Sequence, residues 1–462
     1  MQGKRNTGRP GCTCEGTKEA ESNKVARSVA LLGNVEEKGA IGLLAKILHR
    51  DNLNAAYKRV KKNGGAAGVD GMTVDEMLPY LQEHKEEFIR SVADGTYKPK
   101  PVRRVEIPKP GGGVRQLGVP TVIDRMMQQA VVQVLQPIFE RTFSESSYGF
   151  RPGRSAQQAI AKTKAYYEEG YTHVVDIDLA KYFDTVNHDI LLELVGREIK
   201  DKGVNRLIRK FLKSGVMADG LVSSTEEGTP QGGNLSPLLS NIYLTEFDRM
   251  LKSRGHKFVR YADDCNIYVK SRRAAERVME NCTEFLEGKL RLKVNREKSS
   301  VGSPLKLKFL GFSLYKVKRR TGIRPHEKSL KRFKEKIRLL TSRKQGRSIE
   351  AILAKLGQCT TGWLAYYSIA DMKAKMQEFN EWTRRRIRQI FWKQWKRIKA
   401  RHDNLIRLGI DKGKAWEWAN SRLGYWRVAG SWILATSITN ERLVLLGYDD
   451  IFKRYAALHS NY

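Results

Sequence analysis

The stretch FVRYADDCNIYVKS, residues 258–271, sets two adjacent aspartates between two runs that alternate apolar and polar side chains. Alternation with period two is the mark of a half-buried strand, and Asp favours turns, so the stretch reads as a hairpin with an acidic tip. The chain around it is strongly basic, with 85 Lys and Arg against 50 Asp and Glu and a formal charge of +35. Two adjacent negative charges at a strand tip in such a chain need a physical reason, and a bound cation supplies one.

The 462 residues are enough for more than one domain, and 40% hydrophobic residues exclude a disordered chain. An excess of positive charge this large points to a polyanionic partner, nucleic acid first and an anionic membrane surface second. No apolar run is long enough to span a bilayer, and no signal-peptide pattern opens the chain. The expectation is a soluble intracellular protein with no membrane partner, cytoplasmic and nucleoid-associated when on DNA. Cys12, Cys14, Cys265, Cys282 and Cys359 make neither a disulfide framework nor a zinc set.

Along the chain, residues 1–45 read as a mobile tail, with one amphipathic helix within residues 28–50. The segment RRVEIPKPGGGVRQLGVP (103–120) reads as a hairpin, Val105 and Ile107 alternating on one arm and Leu117 and Val119 on the other, with glycines 111–113 at the tip. Residues 124–143 read as a buried helix, and THVVDIDLAKYFDTV (172–186) begins as a strand. GTPQGGNLSPLLSNIYLTEFDRML (228–251) is a Gly-rich loop opening a helix, with Ser236 suited to the cap and Pro237 to the first turn. Strand, helix and hairpin in this order can lay the first strand beside the hairpin in one antiparallel sheet, as in split βαβ folds. Asp178 would then face Asp263. Carboxylates gathered at one point repel unless cations sit between them, and oxygen-only ligands suit Mg²⁺. Asp176 is a rival ligand, since period two puts it on the strand face of Asp178, whereas Ile177 points to the other face as core.

Five blocks in order, YGFRPGRSAQQAI (148–160), DIDLAKYFDTVNHDIL (176–191), GTPQGGNLSPLLSNIYL (228–244), FVRYADD (258–264) and LKFLGF (307–312), resemble bacterial group II intron reverse transcriptases, the intron-encoded maturases. The resemblance begins at DNLNAAYKRVKKNGGAAGVDGM (51–72) and runs to the C-terminus. It implies an α+β right-hand polymerase, with fingers and palm over residues 46–315, an all-α thumb and maturase region over 316–400, and a basic helical DNA-binding region over 401–462. It implies RNA-directed DNA synthesis, together with assistance to splicing and retrotransposition. The alternatives are a domesticated enzyme of defence or repair and an RNA-binding maturase with weak polymerase activity. The partners implied are intron RNA, an RNA template, a DNA primer or target, and deoxynucleoside triphosphates.

The same resemblance assigns Asp178, Asp263 and Asp264 as the catalytic, metal-holding acids. It prefers Asp178 over Asp176 because an aromatic, Phe183, follows five residues later. Two Mg²⁺ ions, with Mn²⁺ as a substitute, would sit about 3.5–4 Å apart and clamp the attacking and leaving oxygens. Phe183 is the expected steric gate against a 2′-hydroxyl, although residue type alone reads it as core. Lys109 and Arg115 flank the glycine tip and would hold the triphosphate. Gln231 would lie near the incoming nucleotide, with Gly232 and Gly233 allowing close backbone approach. Lys298 is expected to serve the leaving pyrophosphate, and Arg151 and Arg154 to touch template or order the fingers.

Residues 316–347 carry 14 Lys or Arg and two acids, and all eight tryptophans lie at or beyond Trp363. Residues 383–401 carry nine Lys or Arg and no acid, interleaved with Phe391, Trp392 and Trp395. Lys331, Arg332, Lys334, Arg384, Arg385, Arg386 and Arg388 are therefore expected to meet nucleic acid, because so many unpaired like charges repel. Trp392 and Trp395 at helical spacing read as core more readily than as stacking platforms. No Cys follows Cys359. The Cys pairs of the endonuclease domain in longer relatives are thus missing, and the expectation is a compact class C form that inserts at a nick, a fork or single-stranded DNA.

Overall fold

The computed structural model describes residues 42–108, 112–218, 221–223, 227–229, 232–344 and 346–460. Lys109, Gln231, Cys12, Cys14 and most of the expected N-terminal helix lie outside them; within 42–50 the chain is helical over Leu43–Leu48. The described strands are β1 (Val102–Pro108), β2 (Val114–Val119), β3 (His173–Ile177), β4 (Val216–Ala218), β5 (Leu221–Ser223), β6 (Lys257–Tyr261), β7 (Asp264–Val269), β8 (Ser300–Gly302), β9 (Phe312–Val317) and β10 (Arg320–Pro325).

The chain divides into two compact units. One gathers Met1–Arg154, Val175–Ile267 and Glu276–Ser300, and the other Ser155–Val174, Tyr268–Ala275 and Val301–Tyr462. In the first, β1 and β2 pair antiparallel, Val105 opposite Leu117 and Ile107 opposite Arg115, as the alternation requires. A sheet of order β2-β1-β4-β5 grows from this hairpin. The helix Val122–Glu140 runs through the interior, its first ten residues all buried; the Thr121 side chain caps it by accepting from the Asp124 N–H. A second sheet has the order β6-β7-β3-β8, so the strand leading to Asp178 does lie beside the acidic hairpin. The helix Ser236–Ser253 begins one residue earlier than its composition implies. Leu235 is the cap and Ser236 already helical, with no side-chain cap bond, while Pro237 sits in the first turn.

The second unit holds the hairpin β9–β10 and then only helices among the described residues, from Glu327–Leu340 to Ile451–His459. The expected all-α character thus starts at Glu327 rather than at residue 316. The charged tip 316–320, turning at Lys318 with φ +52°, masks the alternating strand pattern around it. Its core is aromatic: Phe333 stacks on Trp363 at 4.1 Å, and Phe312 meets Tyr367 at 4.7 Å. Trp392 is 1% exposed, so it belongs to the core and offers no stacking face to a base.

Candidate active site

Asp178 follows the last residue of β3, and Asp263 precedes the first residue of β7, its neighbour in the sheet. Strand pairing therefore carries two residues far apart in sequence to the same sheet end. Burial raises the Asp263 carboxyl above its ordinary value. Its own backbone N–H opposes that, the Asp178 charge adds to it, and Arg115 and Arg260 oppose it. The influence of Arg115 brings the finger hairpin β1–β2 electrostatically to the acidic tip. Asp264 opens β7 and is half-buried.

The segment after β3 is held by the loop LKVNREKS. The Asp178 N–H donates to Ser299 Oγ at 3.0 Å, and the Asn295 N–H donates to the Asp178 carbonyl at 2.8 Å. Lys298 Nζ comes within 3.9 Å of Asp178 Oδ1, the two side chains being 67% and 43% exposed. So exposed a pair adds little stability, and it leaves both groups open to a ligand.

Asp176 is the more enclosed acid. Burial first, then the Asp178 charge, push its carboxyl up to about 6. The native state holds that proton more tightly than the unfolded chain. The stability contributed by this group is therefore full below its ordinary 3.8 and is lost as pH rises toward 6. Asp176→Asn is expected to stabilise the metal-free protein at pH 7 by about 1 kcal/mol after discounting for partial exposure. Thermal unfolding in EDTA checks this; the gain should shrink at pH 4.5, and no gain at pH 7 would reject it.

Phe183 is half-buried, its ring edge-on to Tyr182 at 5.2 Å. The start of the Gly-rich loop is strapped to its segment. The Thr229 N–H donates to the Phe183 carbonyl at 2.6 Å and the Gly228 N–H to the Val186 carbonyl at 2.8 Å. Buried His188 donates from Nε2 to the Gly228 carbonyl at 2.6 Å, since a carbonyl only accepts. Gly232, at φ +120°, lies close to the chain itself: a Cβ there would stand 2.5 Å from the Gly118 carbonyl oxygen of β2. Its bare backbone is needed against the chain itself, and Gly233 likewise faces the Gln128 side chain at 2.8 Å.

The hairpin tip turns at Ala262, left-handed at φ +59°, a conformation costing a non-glycine residue about 1–2 kcal/mol. Beneath it lies a group that sequence reasoning missed. Arg260 is wholly buried and donates from Nε and Nη2 to Asp248 Oδ1 and Oδ2 at 2.7 and 2.6 Å. Its Nη1 donates to Asn241 Oδ1 at 3.0 Å and to the Ala262 carbonyl at 2.9 Å. Asn241 Nδ2 in turn donates to the Gly149 carbonyl at 2.8 Å. The segment ahead of Gly149 pairs with β6: the Tyr148 N–H donates to the Arg260 carbonyl at 2.8 Å and the Arg260 N–H to the Ser146 carbonyl at 2.9 Å. A signal was present, since Arg260 is a charge set among Phe258, Val259, Tyr261 and Ala262, and Asp248 is an acid on an otherwise apolar or neutral helix face.

Several of the basic residues expected at nucleic acid also have partners within the chain. Arg151 is buried, paired with Glu140 at 2.7 Å and donating to the Ser147 carbonyl at 2.8 Å. Arg154 pairs with Glu145 and lies over the Tyr148 ring. Arg385 donates to the Trp426 carbonyl at 2.8 Å, Arg386 to the Arg338 and Thr341 carbonyls at 3.0 Å, and Arg388 to the Ile438 carbonyl at 2.9 Å. Carbonyls at helix C-termini are negative and lack helical partners, so guanidinium forks settle the like-charge problem internally. Arg384 is half-buried. Lys331 and Arg332 are exposed, and Lys334 lies over the Trp382 ring at 5.4 Å.

Among the described residues no three His, Cys, Asp or Glu side chains gather as a metal cluster. The Asp178–Asp263 pair still fits a hard divalent ion. It offers only oxygen donors whose charges oppose each other, and Mg²⁺ takes one or two carboxylates with waters and substrate phosphates completing its shell. No helix among the described residues is long and apolar enough to cross a membrane.

Comparison with known proteins agrees with this geometry. Residues 107–314 match the family described as reverse transcriptase (RNA-dependent DNA polymerase), and residues 330–409 match the maturase-specific domain of group II introns. Protein YkfC of Escherichia coli is 36% identical over 278 residues, which cover 52% of this chain and 73% of that protein. The group II intron-encoded protein LtrA of Lactococcus lactis is 39% identical over 215 residues, 46% of this chain but only 36% of LtrA. A putative COX1/OXI3 intron 1 protein of Saccharomyces cerevisiae is 35% identical over 221 residues, 47% of this chain and 26% of that protein. An acidic hairpin tip beside a second strand-end aspartate, and both matched domains in order, place the chain in the family of group II intron reverse transcriptases and maturases.

Proposed function

We propose that this protein extends a DNA primer on an RNA template, intron RNA above all, and that its maturase region holds the same RNA for splicing and retrotransposition. The observation that carries the reading is the meeting of Asp178 and Asp263 at one sheet end, with Lys298 beside the first and the charge of Arg115 felt at the second. Asp178 and Asp263 would hold Mg²⁺, with Mn²⁺ as a substitute, and Asp264 would support their charge. When bound, such ions activate a primer 3′-hydroxyl and neutralise the phosphate charge of the transfer. Arg115 and Lys109 would grip the triphosphate through charge-assisted hydrogen bonds. Lys298 would donate a proton or a positive charge to the departing pyrophosphate. Gln231 would lie against the incoming nucleotide. Exposed Lys331 and Arg332 would neutralise RNA phosphates, and work on intron and target nucleic acid would place the protein in the cytoplasm.

The test is direct. The purified full chain with a DNA primer on RNA, deoxynucleotides and Mg²⁺ should yield full-length cDNA. Absence of extension in Mg²⁺ and in Mn²⁺ would overturn the reading. Intron RNA folding around the reading frame in the flanking nucleotide sequence would support the splicing role.

Phe183 lies at the segment strapped to the Gly-rich loop, where a sugar would pass. Removing its ring opens space for a 2′-hydroxyl. Phe183→Ala is expected to raise ribonucleotide over deoxynucleotide incorporation by about 10- to 100-fold, the scale of steric discrimination in a pocket. Competition assays on one template measure the ratio, and an unchanged ratio would remove Phe183 from this role.

A further inference from the structure

We propose that Arg260 is a positioning residue for the polymerase reaction, one half of a clamp, with Gly149 as the other, that holds the two peptide units flanking Ala262 and so fixes the turn leading into Asp263. The inference rests on the reading of Asp263 as a metal ligand. The Ala262 carbonyl and the Asp263 N–H belong to one peptide unit, and Arg260 Nη1 donates to that carbonyl at 2.9 Å. Gly149 lies against the preceding peptide unit, so close that a Cβ would stand 2.3 Å from the Ala262 N and 2.9 Å from the Tyr261 carbonyl carbon. Asn241 ties the two sides together, accepting from Arg260 at 3.0 Å and donating to the Gly149 carbonyl at 2.8 Å.

A merely structural ion pair is the plain alternative. Buried pairs often stabilise no better than apolar residues of the same size. Stability alone therefore does not explain a guanidinium that spends one arm on the carbonyl of a left-handed turn. A fork does explain it: Asp248 fixes two of its nitrogens, which aims the third at Ala262. Lysine carries its three donors on one nitrogen and cannot span partners that Arg260 reaches from three separate nitrogens. This is the role that residues behind metal ligands play, where loss costs about 10- to 100-fold in metal affinity or activity.

The experiment uses the full chain on a primer–template ending in a dideoxynucleotide, so that no turnover occurs, and reads Mn²⁺ binding by electron paramagnetic resonance alongside thermal unfolding and RNA affinity. Arg260→Lys and Gly149→Ala disturb the two peptide units that flank Ala262, and Gly149→Ala removes no charge and needs no left-handed backbone. Each is expected to weaken Mn²⁺ binding by about tenfold or more, with RNA affinity unchanged. Wild-type Mn²⁺ affinity in folded Gly149→Ala would overturn the clamp, whether or not Arg260→Lys folds. Asp263→Asn is the control. If it leaves Mn²⁺ binding intact, the metal-ligand reading itself fails; if it abolishes binding while the clamp variants bind normally, only this inference does.

Discussion

Asp263→Asn is expected to lower primer extension on RNA by about a thousandfold or more, equivalent to roughly 4 kcal/mol of transition-state stabilisation. Asn keeps the size of the side chain and removes its charge. At a site where Asp178 already repels Asp263, that loss does not harm the metal-free fold: it takes away a repulsion and the burial of a charge. The unfolding temperature in EDTA should therefore hold or rise. What disappears is one of the two carboxylates proposed to hold a divalent ion, the Asn oxygen being neutral. RNA affinity, set by exposed Lys and Arg, should stay within about twofold, since one exchanged acid shifts the counterion balance little. Full-length cDNA at the wild-type rate would refute the assignment. Loss of activity with a collapsed unfolding temperature would trace the defect to folding instead.

RNA affinity itself is expected to fall by roughly 10³- to 10⁵-fold between about 50 and 200 mM salt, if about six to ten phosphates are neutralised. A formal charge of +35 makes a contact number of that order reasonable. The structure decides which residues share in it. Arg385, Arg386 and Arg388 donate to backbone carbonyls and so should add little to the salt slope. Arg388→Ala should instead lower the unfolding temperature, because the Ile438 carbonyl loses its donor. Lys331→Ala and Arg332→Ala, at exposed positions, should each reduce the slope by about one. Filter binding or fluorescence anisotropy over a salt series measures all three variants against the parent. A flat salt dependence in the parent would contradict the polyanion argument, and a slope change in Arg388→Ala would return that residue to the RNA surface.

The acidic hairpin was legible because its signal is local: alternation on both sides and a turn former at the tip. The same holds for the β1–β2 hairpin and for the helix Val122–Glu140. The hairpin β9–β10 escaped because four of the six residues from Lys316 to Thr321 are charged, and the charges outweigh the alternation to the eye. The carbonyl partners of the arginine run were not legible for a related reason. Composition counts charges, but only packing shows which carbonyls they face.

Local pattern and the series of motifs by themselves settled the family, the β1–β2 and β6–β7 hairpins, the strand before Asp178 and the position of the acids at the strand ends. Tertiary structure alone decided that Gly149, Asn241, Asp248 and Arg260 meet beneath Ala262, that Gly232 answers to the chain's own Gly118, and that three arginines of one run close helix ends. The physical reason is range. A turn or an alternating strand is set by neighbours within a few residues, whereas a buried guanidinium takes its meaning from partners that only the folded chain brings within three ångströms.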